Sequence, residues 1–258
     1  MNNEISRALT LGGAAALLLL TAGCSGAGSS SADSDFLKVE AVSQTFPYTG
    51  QTLTIDAGTA DLIITFGEGN EVQVDSQATG SANSKDPEVT ESLEGDTLNS
   101  AVNCDGLALG CEGRVTVVVP EGVAVIAQNK NQQITVSDFA ADLSVSAVNG
   151  TANLSQISSP TLILDEKEME VTGTDLSVKT VLADTRNGSV DLTFSDAPDQ
   201  VTVDSNDGNV RLVLPDTDYL VETAAKKGRI NVTVAESDSS SRVISATVRN
   251  ADIAVVTD

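Results

Sequence analysis

Asp184, Asp204 and Asp207 fall within a span of 24 residues, with Arg186 and Arg211 close by in the chain. Paired carboxylates beside a guanidinium are what glycoside cleavage needs: one acid protonates the leaving oxygen, and the other serves as nucleophile or base. The plainer reading is preferred, because solvated strand faces and corners carry Asp and Arg in any case. Within the same stretch, "DSNDGN" at 204–209 offers Asp204, Asn206 and Asp207 as weak calcium candidates. It misses the EF-hand spacing by one residue and lacks the distal Glu. The chain has no histidine, which excludes Ser-His-Asp and Cys-His catalysis and any His-built metal centre. No phosphate-cradling glycine motif is present. We therefore expect no catalytic residues, no metal site and no cofactor.

Three other features bear on function. "KKGR" at 226–229 is the one basic cluster along the chain, with Lys227 expected beside Asp207. Such an exposed pair contributes little, and docking of an anionic wall polymer there is the sharper alternative. Cys104 and Cys111 have six residues between them in "NCDGLALGCEG". In an exported chain they suit a local disulfide, whereas two thiols without histidine make a poor metal site. Acidic residues number 37 against 14 basic, a net charge of −23. That field repels phosphate backbones, so no nucleic-acid partner is expected.

The chain opens with an apolar run, Ala8 to Leu20, too short for a permanent membrane span but suited to a secretory segment. It ends in Leu20-Thr21-Ala22-Gly23-Cys24. This resembles the bacterial lipoprotein signal, which implies cleavage after residue 23 and lipidation of Cys24; an ordinary signal peptide is the alternative. "SGAGSSSADSD" then reads as a tether. Acyl chains on Cys24 would hold to the membrane a body that its own charge pushes away. The Asn-x-Ser/Thr sequons at Asn149, Asn153, Asn187 and Asn231 are expected to carry no sugar, because the signal implies a bacterial host.

What must position these residues is a repeat. "NGSVDLTFS", "DGNVRLVLP" and "KGRINVTVA" place Gly188, Gly208 and Gly228 at 20-residue intervals. Counting each glycine as position zero, apolar residues fall at +2 and +4 and again at −7 and −5. The same phases recur with zero at Gln132, Gly150, Met169 and Ala251, so seven rungs follow at intervals of 18, 19, 19, 20, 20 and 23 residues. In the −7 and −5 places, Val221 and Thr223 make the weakest pair. Alternation on both sides of zero predicts two strands per rung. The odd step from −5 to +2 predicts a corner where inward parity switches, and glycine suits it if φ is positive there. Recurrence of one phase without mirror reversal points to parallel stacking in a β-solenoid. The +2 residues Ile134, Ala152, Val171, Val190, Val210, Ile230 and Ile253 should then form one buried column in that order.

"VTVVVPEGVAV" at 115–125, the x-G-x-V-x-L rungs and "LVLPDTDYLVE" resemble the bacterial putative-adhesin family of β-solenoid domains, over roughly residues 36–258. The resemblance implies an all-β, single-stranded parallel β-helix of right-handed winding, and it implies no catalytic residues. The expected organisation is a signal peptide at 1–23, a tether at 24–35, an N-terminal cap and first coils at 36–119, and regular rungs at 120–258. An early rung is expected around Gly58. The function expected is a lipid-anchored, non-enzymatic protein of the bacterial envelope. Its surface would meet another envelope protein or a wall polysaccharide. A carbohydrate-active enzyme and a sensing lipoprotein paired with a membrane protein are the alternatives.

Overall fold

The computed structural model describes residues 38–80, 86–103 and 111–257. The signal segment, Cys24, the tether at 24–35 and Cys104 lie outside the described residues. Residues Asp35–Asp258 form one compact unit. Its described part holds 20 strands and no helix, so the protein is all-β with a solenoid-like repeat.

Each repeat folds as the alternation dictates. In the coil cornered at Gly188, strand Thr180–Thr185 buries Val181 and Ala183, and strand Val190–Phe194 buries Val190 and Leu192. Leu182, Asp184 and Asp191, which alternate with them, face outward. Coils pair in parallel and in register: Leu162 lies against Val181, Val181 against Val201, and Val171 against Val190. Like positions therefore stack at about the strand spacing of 4.8 Å. At the Gly150 and Met169 corners the strands run on without a break, as Leu143–Ile157 and Thr161–Leu176.

The early rung is present, but the register moves its corner by two residues. Leu53 and Ile55 pair with Val125 and Ala127, and Leu62 pairs with Ile134. Ala60, not Gly58, thus occupies the zero position.

The order of coils departs from the order of the chain at both ends. Val190 pairs with Val210 as expected, but Val210 pairs with Ile253, and Ile253 in turn with Ile230. Strand Val243–Val248 likewise sits between Gln200–Ser205 and Asp218–Ala225. The Ala251 coil is inserted, and the Gly228 coil ends the stack, so Val210 and Ile230 are not neighbours. At the other end, strands Thr97–Asn103 and Glu112–Pro120 lie outside the Ala60 coil, which itself pairs with the Gln132 coil. The physical reason at the C-terminal end is burial. An inserted coil must be apolar on both of its neighbours' account, and Ile244, Ala246, Ile253 and Val255 are all buried. The end coil can tolerate Thr223 and an Ile230 that is 45% exposed. Ile253→Ala is accordingly expected to cost about 3 kcal/mol and Ile230→Ala less than about 1 kcal/mol in urea unfolding; equal losses would contradict the inserted order.

The N-terminal end is closed by antiparallel strands. Lys38–Pro47 pairs with Glu71–Gly80, which pairs with Glu112–Pro120, and Glu88–Glu94 pairs with Thr97–Asn103. Edge strand Glu88–Glu94 exposes a glutamate at each end, Glu88 and Glu94, the kind of charge that resists further pairing.

Candidate functional site: a striped outer face

The parity rule sends positions −6, −4 and −2 to the outside of the first strand of every coil. Stacking then turns scattered residues into stripes. Asp165, Asp184 and Asp204 lie in register at −4 on successive strands. Two residues further along, at −2, come Lys130, Lys167, Arg186, Arg249 and Lys226, in spatial order from the N-terminal end. All five are exposed. Among the described residues the ion pairs are Arg211–Asp191 at 3.1 Å and Arg229–Asp252 at 2.8 Å, and neither involves this basic stripe. At −6 stand Ile163 and Leu182, each 39% exposed, and Val148 at −2 is also exposed.

Shallow hollows mark the same face. One of about 280 Å³ is bounded by Asp184 and Asp204 on one bank and Lys226 and Arg249 on the other. A second, of about 250 Å³, repeats the arrangement with Asp56, Asp165, Lys130 and Lys167. No described aromatic side chain stands on this face: Tyr48, Phe139, Phe194 and Tyr219 are buried, and Phe46 and Phe66 pack against the core.

Beneath the stripes, position −3 points inward and is partly polar. Asn129 donates from Nδ2 to the Ala60 carbonyl at 2.8 Å. The Thr185 hydroxyl lies 3.1 Å from the Gly188 carbonyl, and Ser205 repeats the contact with Gly208 at 3.1 Å. Glu166 occupies the equivalent place between Ala147 and Thr185. It is 3% exposed and neither carboxylate oxygen has a hydrogen-bond partner. Burial, with Asp165 beside it, pushes its carboxyl up to about 8.

The residues singled out in the sequence are scattered or otherwise engaged. Asp184 and Asp204 are neighbours, but Asp207 sits at the corner, where Asn250 Nδ2 donates to it at 2.6 Å. Arg211 is on the other strand of its coil, paired with Asp191, so the five do not converge. Asp204 is on the strand and Asp207 at the corner with Asn250, and no group of three or more His, Cys, Asp or Glu side chains that could hold a metal ion occurs among the described residues. Lys227 is not beside Asp207, because the inserted coil puts Asn250 between them. "KKGR" is not the one basic cluster in space: Lys226 is a member of the longer stripe, and Arg229 is tied to Asp252. The arginine's hydrogen bonds hold the Asp252 carboxyl below its ordinary value. Reading position −2 down the aligned repeats would have found the stripe, since its members stand one or two repeats apart in sequence, with Val148 and Asn206 at −2 of the coils between. Cys111 is half-buried, and with Cys104 outside the described residues their pairing stays a proposal.

At the corners Gly150 and Gly228 have φ of 118° and 146°, as positive-φ turns require. Gly188 and Gly208 do not lie in the left-handed region. What all four corners share is close approach: a Cβ on Gly150, Gly188, Gly208 or Gly228 would overlap the carbonyl of Gln132, Met169, Gly188 or Ala251 on the neighbouring coil, and at Gly188 and Gly208 that is the whole reason for glycine.

Fold and face together define an all-β, solenoid-like domain with a long patterned exterior and no converging catalytic group among its described residues. Residues 121–257 match the Toastrack DUF4097 family, and the chain belongs to it. Solved structures resemble it at low identity. A "putative adhesin" from Parabacteroides distasonis is 13% identical, with a TM-score of 0.49 over 85% of this chain and 97% of that one. A "putative cell adhesion protein" from Clostridium sporogenes is 15% identical, with a TM-score of 0.36 over 86% and 100%. No curated protein matches the chain.

Proposed function

We propose that this chain is a non-enzymatic binding protein of the bacterial envelope, held at the membrane by lipid on Cys24 after loss of residues 1–23. Residues 24–35 act as its tether, and Cys104 and Cys111 form a disulfide. The stack is a single-stranded parallel β-helix wound right-handedly, and its patterned exterior is the binding surface. One observation carries the reading: acidic and basic stripes run in register along one face, with exposed Ile163 and Leu182 beside them. Exposed apolar side chains rimmed by charge mark interaction surfaces on soluble domains. The adhesin descriptions borne by structures of similar fold agree with a surface role.

The test has two arms. Cys24→Ser should move the protein from the membrane fraction to the soluble one, as read by fractionation and acyl-chain labelling. Lys167→Glu with Arg186→Glu should weaken capture of envelope material at least about tenfold. Release of reducing ends from wall glycans, abolished by Asp184→Asn or Asp204→Asn, would instead establish the carbohydrate-cleaving alternative.

A further inference from the structure

The stripes have a symmetry that names a partner. On each coil the acidic position −4 and the basic position −2 flank the inward position −3. Rotating a second copy by half a turn about an axis parallel to the stack, over the −3 column, exchanges the two stripes at constant height. Asp165 then faces the partner's Lys167, and Asp184 faces the partner's Arg186, each contact occurring twice. One coil further along, Asp204 faces an amide, Asn206, and at the inserted coil Thr247 faces Arg249. No coil sets two like charges opposite each other.

From this self-complementarity we infer that the striped face binds a second copy of the same chain, side by side and in parallel. The inference rests on the reading of this face as a binding surface and gives that surface its partner. Charge selects among the occupants. A linear polyanion would meet the basic stripe only with Asp165, Asp184 and Asp204 beside it, well inside the screening length of about 8 Å. Among the described residues a glycan would find no aromatic side chain on this face to stack on. A second copy satisfies both stripes at once. Parallel alignment also leaves both N-terminal ends on the same side, as two chains tethered to one membrane need. Tethering raises the effective concentration, so a weak contact suffices against the repulsion of two acidic bodies.

The experiment is sedimentation of the full chain in non-ionic detergent at about 0.15 M salt. We expect a reversible dimer whose affinity falls as salt rises. Asp165→Lys with Asp184→Arg makes both stripes basic; Lys167→Asp with Arg186→Asp makes both acidic. Each variant alone should lose at least tenfold in dimer affinity, while an equimolar mixture of the two should recover a heterodimer near wild-type strength. Circular dichroism and urea midpoints like those of the wild type confirm that the variants fold. A wild-type chain that stays monomeric yet still captures envelope material through this face would overturn the pairing and leave the proposed function standing. A dimer indifferent to both variants, or a mixture that fails to pair, would place the contact elsewhere and overturn the inference as well. Loss of both dimer and capture activity would sink both.

Discussion

Glu166→Gln is expected to leave stability almost unchanged at pH 4 and to raise it by roughly 3 to 5 kcal/mol at pH 9, read by urea unfolding at each pH. The carboxyl lies inside the stack with no hydrogen-bond partner on either oxygen. Coil neighbours in register with it are Ala147 and Thr185, neither of them charged. The charged groups nearest in sequence, Asp165 and Lys167, and those across on the next coil, Asp184 and Arg186, are exposed at −4 and −2. Its carboxyl is pushed up from 4.5 to about 8 in the folded chain. Between those values the folded state holds a proton that the unfolded state has released, so this group's stabilisation is complete below about 4.5. It is lost as pH rises through about 8. Glutamine is isosteric, neutral and unable to ionise, and so removes that slope. An unchanged slope in the variant would mean that Glu166 reaches solvent or a cation when charged.

Gly188→Ala and Gly208→Ala are expected to cost upward of about 3 kcal/mol each, whereas Gly122→Ala should cost only about 1 kcal/mol. The comparison separates two reasons for glycine. Gly122 has φ of 80° with nothing near where a Cβ would go, so alanine meets backbone strain alone. At Gly188 and Gly208 the dihedral is ordinary, but the new methyl would enter a backbone carbonyl of the coil below. Relief would require lifting one coil off another along the corner, where the Thr185 hydroxyl donates to Ser205 Oγ of the next coil at 3.0 Å. Parallel pairing from Asp184–Asp204 to Val190–Val210 would be disturbed together. Equal costs at Gly122, Gly188 and Gly208 in thermal melts would argue against close backbone approach as the reason.

The repeat itself was legible because its physics is local. Alternation fixes which residues of a strand face inward, and Val181, Ala183, Val190 and Leu192 are buried as their spacing dictates. The corner, the switch of parity and the in-register columns from Gln132 to Gly208 follow from the same counting. So did the weakness of the Gly228 coil, visible in Thr223, although its meaning was not.

What only the tertiary structure decided is which coil lies on which. The Ala251 and Gly228 coils have the same local pattern, and either order satisfies every strand's alternation. The choice falls to long-range burial: Ile244, Ala246, Ile253 and Val255 are better covered on two sides than Val221, Thr223, Ile230 and Val232 would be. The basic stripe and the stranded carboxyl of Glu166 belong to the same class of fact. Each depends on neighbours about 20 residues away, and a sequence read along its length does not set those neighbours side by side.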